Sequence, residues 1–143
     1  KVKGELSPSE LERLMLVPGK VADAVVDMHM HRRAHGDLHR GNVMFDKATG
    51  EARVIDFGSS RRTIDRERRG HDVYGLAYLI DEFGHKTSEP LMTQAKAMYL
   101  RALDRYAGPD RNAPVYKSHP ELYEPHLKRF NERKAALRSE MAE

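Results

Sequence analysis

Asp37 and Asp56 stand nineteen residues apart, and the chain between them reads as a β-hairpin. Val43-Met44-Phe45 is a short apolar run suited to a strand, Lys47 to Gly50 carries turn chemistry, and Ala52 to Ile55 reads as the returning strand. A hairpin brings the chain back to the end where it began. Asp37, Asn42 and Asp56 are therefore expected along one edge of a two-stranded ribbon, whatever packs around it. Two carboxylates and an amide gathered in this way suit phosphoryl transfer from a nucleotide. One carboxylate and the amide would hold a metal against the phosphates, and the other carboxylate would orient an attacking hydroxyl. A polar turn with helix caps is the plainer reading of the same residues.

The remaining pattern is helical. Ser7-Pro8-Ser9-Glu10 has the form of a capping box with proline at the first helical position. Leu11, Leu14 and Met15 follow on one face, and Pro18-Gly19 reads as the stop. A second helix is expected from Lys20 to Arg32, with Val21, Ala24, Val25 and Met28 at helical spacing. Residues 35–42 then form a loop that feeds the ribbon. Residues 59–70 hold five arginines and almost nothing apolar, which reads as a solvated loop; Ser59, Ser60 and Thr63 in it are weak candidates for phosphate acceptors. Asp72 looks like the N-cap of an apolar helix that stops at Gly84. Another helix is expected from Glu89 to Tyr106, with Leu91, Ala95, Met98 and Ala102 as its buried stripe. A charged helix from Leu122 to Met141 has Leu127, Phe130 and Leu137 as anchors. The expected fold class is mainly α (α+β), with one domain over residues 1–143.

Composition narrows the function. With 39% hydrophobic residues in 143, the chain can bury one moderate core. It has no cysteine, which excludes disulfides, thiolate zinc sites and cysteine nucleophiles. A net charge of +3 suits nucleotides or acidic partners and falls far short of a nucleic-acid-coating protein. The central apolar run, Val73 to Ile80, is too short to span a membrane. A cytoplasmic protein with a nucleotide partner, no nucleic acid and no membrane span is the expectation. His29, His31, His35 and His39 invite a metal reading, but His29 and His31 are two apart on a helix and face different ways.

"HGDLHRGN", residues 35–42, resembles the catalytic loop of protein kinases, and "VIDFGSS" contains their metal-binding Asp-Phe-Gly motif at residues 56–58. "HDVYGLA" resembles the start of the large buried helix in the kinase C-terminal lobe. The resemblance covers about residues 20–83. It implies the C-terminal lobe of a protein-kinase-like fold, acting with ATP and Mg²⁺. By that resemblance Asp37 is the catalytic base, and Asn42 and Asp56 are magnesium ligands. His39 or Arg40 would lie beside the transferred phosphoryl group, and Met44 would be a floor for the adenine ring. His35, Phe57 and Gly58 would support the site, and Asp72 would bind the backbone of the catalytic loop.

The departures from the kinase pattern narrow it further. Position 36 is glycine where regulated protein kinases carry arginine, and position 39 is histidine where protein-serine kinases commonly have lysine. Thirteen residues, 59–71, separate Gly58 from Asp72 and contain no Ala-Pro-Glu motif, so the activation segment is short. These features resemble minimal effector kinases of bacterial pathogens, which would place the protein inside a host cell and give it a protein substrate. They also resemble small-molecule phosphotransferases related to aminoglycoside kinases. Nothing resembles a Gly-rich loop or its strand lysine. The chain thus reads as a lobe beginning near the hinge at Lys1 to Gly4, with the N-terminal lobe, or a partner protein replacing it, on another chain. A catalytically silent binding module is the third reading.

Overall fold

A computed structural model describes residues 7–46, 48–55, 61–62, 66–83 and 88–142. Asp56, Phe57 and Gly58 lie outside the described residues, as do Lys1 to Gly4, Lys47, Ser59, Ser60, Thr63 and Gly84. Of Leu11, Arg61 and Arg62 only the backbone is described.

Helix α1 (Pro8–Leu14) opens with the expected reciprocal cap. The Ser7 N–H donates to Glu10 Oε1 at 2.9 Å, and the Glu10 N–H donates to Ser7 Oγ at 3.2 Å. Helix α2 (Val17–Met30) begins three residues before the expected Lys20, so Pro18 and Gly19 start a helix rather than end one. The first-turn N–H groups of a helix have no intrahelical acceptor, and proline loses nothing there. Strand β1 (Arg33–Ala34) follows directly.

Strands β2 (Val43–Asp46) and β3 (Glu51–Val54) form the expected antiparallel hairpin, with Val43 opposite Val54 and Asp46 opposite Glu51. Gly50 N–H closes the turn on Asp46 O at 2.7 Å. Alternation sends Val43, Phe45, Ala52 and Val54 toward the core and leaves Met44 outside. A second ribbon pairs β1 with β4 (Arg61–Arg62) antiparallel. Two-residue strands carry no periodic signal, and the sequence reading missed both.

Helix α3 (Arg66–Glu82) starts six residues before Asp72, which is therefore an interior helical residue and not an N-cap. The expectation of a solvated arginine loop also fails at Arg69, which is buried. Its guanidinium donates to both Glu140 oxygens, at 2.8 and 2.6 Å. This partner is 71 residues away, and it lets a charged, weakly patterned segment join the helix.

Helices α4 (Leu91–Arg105), α5 (Pro114–Ser118) and α6 (Tyr123–Met141) complete the chain, and α5 had not been expected. In α4 the buried stripe is Ala95, Tyr99, Ala102 and Leu103, while Leu91, at the first turn, is an exposed edge residue. Helices α2, α3 and α4 pack against one another, and α6 crosses α2 and α4. Leu76, Leu79, Ile80, Leu103 and Leu137 are almost fully buried, each worth about 1.5–3 kcal/mol of apolar burial. The fold is mainly helical with a small antiparallel hairpin, as the sequence led us to expect, and a second short ribbon that it did not. Among the described residues no helix is long and apolar enough to cross a membrane.

Candidate functional site: the loop between β1 and β2

Residues 35–42 leave β1 and enter β2 through a short 3₁₀ turn, Arg40–Asn42. Their anchor is Asp72. Its carboxylate is fully buried and accepts the His35 N–H at 2.8 Å and the Gly36 N–H at 2.9 Å. Gly36 sits at φ 87°, in the left-handed region, where a side chain would be strained. Further along α3, Gly75 allows the loop to lie against the helix. A Cβ there would meet Leu38 O at 2.5 Å and Leu38 Cβ at 2.8 Å. The loop thus runs along α3, held at Asp72 by hydrogen bonds and at Gly75 by contact.

Asp72 is itself supported from beneath. The buried His29 ring contacts Asp72 Oδ2 through Nε2 at 2.9 Å and the Tyr99 hydroxyl through Nδ1 at 2.8 Å. Burial, followed by the nearby Glu140 charge, pushes the Tyr99 hydroxyl well above the usual tyrosine range, and Arg69 and Arg133 oppose this only in part. The hydroxyl therefore stays protonated and donates to Nδ1, so Nε2–H donates to the carboxylate. The sequence reading gave neither His29 nor Tyr99 this supporting role. The signal was there for His29, which lies four residues beyond Val25 and eight beyond Val21 on the buried stripe of α2.

His35 is also fully buried, with Nε2 2.8 Å from Ile55 O and Nδ1 3.1 Å from the Asp37 N–H. The amide must donate to Nδ1, so Nε2 carries the proton and donates to the carbonyl. His35 therefore ties the loop to the end of β3, the residue before Asp56.

Asp37 and Asn42 come together as their spacing predicts. Asn42 is buried, and its Nδ2 donates to Asp37 O at 2.7 Å and approaches Asp37 Oδ2 at 3.4 Å. This fixes the amide orientation, and among the described residues Asn42 Oδ1 accepts no hydrogen bond. An amide oxygen held in this orientation beside a carboxylate suits a hard cation such as Mg²⁺. Asp37 is half-exposed, as is His39, whose Nε2 lies 3.6 Å from Asp37 Oδ2. His39 Nδ1 accepts the Gly41 N–H at 3.0 Å, so Nε2–H is the edge facing the carboxylate. The 3.2 Å approach of His39 Nε2 to Asn42 Nδ2 then sets two donors together and contributes no bond.

Arg40 Nε lies 3.5 Å from Glu82 Oε2 on α3. Met44 is exposed on the outer face of the hairpin. Asp56, Phe57 and Gly58 lie outside the described residues, so the structure brings together Asp37, His39 and Asn42, over a base of His35 and Asp72.

A model of the phosphotransferase enzyme family matches residues 19–114, from the start of α2 to the start of α5. The chain belongs to that family. Neither the curated proteins nor the solved structures give a match. The matched span includes the whole loop, its Asp72 anchor and the His29–Tyr99 support, so the buried network lies within the family's shared region. Membership in the phosphotransferase family agrees with the kinase-like resemblance of the two motifs.

Proposed function

We propose that the protein transfers the γ-phosphoryl group of Mg·ATP to a hydroxyl group. The Asp37–Asn42 pair carries this reading: a half-exposed carboxylate beside a fixed amide oxygen that accepts no hydrogen bond among the described residues. Asn42 Oδ1 and the Asp56 carboxylate would hold the metal, which when bound neutralises charge on the phosphates. Asp37 orients the acceptor hydroxyl and takes its proton as the new O–P bond forms and the bond to the departing ADP breaks. Met44, on the exposed face of β2, is available to the adenine ring.

For the acceptor we favour a serine or threonine of a protein. On α3, the helix that carries the loop, the exposed rings of Tyr74 and Tyr78 meet edge to face at 5.1 Å. An open aromatic shelf suits a polypeptide segment, whereas a small molecule is usually enclosed. Action as a minimal effector kinase fits the same reading. The second reading is a small-molecule hydroxyl, favoured by the family match.

Calorimetric titration of the full chain with ATP, with and without Mg²⁺, tests the site. Asn42→Ala should remove the metal-dependent part of binding, and Asp37→Ala should retain binding but lose transfer. Unchanged Mg·ATP affinity in Asn42→Ala would refute the metal assignment. Labelled ATP offered with protein substrates and with amino sugars then separates the two acceptor readings.

A further inference from the structure

We propose that the cavity between the C-terminal end of α2 and the middle of α6 binds a small organic phosphate. The cavity is about 280 Å³, with Arg32, Arg129 and Arg133 on its lining beside His31. Its apolar wall is the ring of Tyr106 stacked on Phe130, with centroids 6.0 Å apart and planes 15° from parallel. The proposal holds whatever the phosphoryl acceptor is.

The cavity gathers three guanidinium groups, of which Arg133 is partly buried while Arg32 and Arg129 face solvent at its rim. Arg133 is fixed by donating Nε and Nη2 to His29 O at 3.1 and 2.7 Å, a neutral acceptor. Among the described residues no carboxylate lies within ion-pairing distance of Arg32, Arg129 or Arg133. Asp27 reaches the rim, but its carboxylate accepts the Tyr106 hydroxyl at 2.6 Å and lies 3.5 Å from His31 Nδ1. Burial, followed by the charges of Arg69 and Arg32, draws the Arg133 guanidinium below the usual arginine range.

Arg32 adds a second observation. It is the one residue other than glycine with positive φ among those described, at 59°. Glycine would sit there without strain, so a long cationic side chain held in that conformation points to a use for its charge. His31 Nδ1 donates to Asp27 O at 2.8 Å, which leaves Nε2 for a ligand. Guanidinium forks match the geometry of a phosphate dianion, and the stacked rings match a flat apolar body attached to it. The volume suits a small molecule.

The test is titration of the full chain with phenyl phosphate, without Mg²⁺ or nucleotide, followed by calorimetry. Binding should saturate and be tighter than for inorganic phosphate. Arg129→Gln and Arg32→Gly should each weaken it by roughly tenfold or more, the loss of one charge-assisted contact. Arg32→Gly suits the native φ, so its thermal unfolding should be no lower than that of the parent protein. Asn42→Ala should bind phenyl phosphate unchanged. Absence of saturation at millimolar ligand, or equal loss in Asn42→Ala, would overturn the proposal. So would binding only to phosphatidylcholine vesicles carrying phosphatidic acid, which would indicate a membrane surface instead.

Discussion

Replacing Asp72 by alanine gives the sharpest test of how the catalytic loop is held. An N-cap aspartate at a helix start costs about 0.5–2 kcal/mol when replaced by alanine. The structure gives a larger figure. Asp72 is fully buried and accepts three donors: the His35 and Gly36 N–H groups and His29 Nε2. Each donor left unsatisfied in a buried site costs about 1–3 kcal/mol. Two backbone donors alone give about 2–6 kcal/mol, and the stranded histidine adds to that. Such a loss is comparable with the whole stability of many domains, about 5–15 kcal/mol. Asp72→Asn should be milder. Its Oδ1 still accepts the Gly36 N–H, and His29 can shift its proton to Nδ1 and accept from the new amide, so only the His35 N–H is stranded. Urea unfolding followed by circular dichroism measures both variants, and the chain has no tryptophan to follow instead. We expect a loss of at least about 3 kcal/mol for alanine and about 1–3 kcal/mol for asparagine. A loss under about 1 kcal/mol for Asp72→Ala would refute the buried-anchor argument, because that is what a solvated cap gives.

Two further perturbations follow from contacts along the same helix. Gly75→Ala removes a helix-weakening glycine, worth about 1 kcal/mol in favour of alanine in an open helix. Here the new Cβ would meet Leu38 O at 2.5 Å, so we expect net destabilisation of about 1–3 kcal/mol. A stabilised variant, measured by the same unfolding assay, would show that the loop does not lie against α3. The Arg69–Glu140 pair sets an acid limit. Burial works against ionisation of Glu140, but the hydrogen bonds and charge of Arg69 outweigh it and hold the carboxyl below its ordinary value of 4.5. The folded pKa is depressed, so this stabilisation is full above the unfolded value and drains away as pH falls through the folded one. Unfolding midpoints between pH 7 and 3 should show that loss, and Glu140→Gln should flatten it. The variant should also cost about 3 kcal/mol at neutral pH by leaving Arg69 buried without its counter-charge. An acid limb unchanged in Glu140→Gln would show that other carboxyls set it.

What could be read from the sequence was local, and what escaped it was long-range. The hairpin was legible because its alternation and turn lie within twelve residues, and Asp37 meets Asn42 because the two are five residues apart in the loop that leads into it. The start of α3 was not, because residues 66–71 become helical in company with Glu140, 71 positions beyond Arg69. Asp72 shows the two levels disagreeing. Its place before an apolar run makes it look like a cap, while the kinase resemblance gave it the loop backbone as its partner; the hydrogen bonds to His35 and Gly36 follow the second description. His29 was weighed only as a metal candidate, for a related reason. A histidine on a buried stripe announces that it needs partners, but not which ones, and Tyr99 and Asp72 lie 70 and 43 residues away. The loop's chemistry is written in eight consecutive residues, whereas its rigidity is assembled from three helices. Substitutions at His29 or Tyr99 should therefore act on transfer only through the position of Asp72, and their effect should vanish in an Asp72→Ala background, which leaves His29 no carboxylate to hold and where double-mutant cycles would read it.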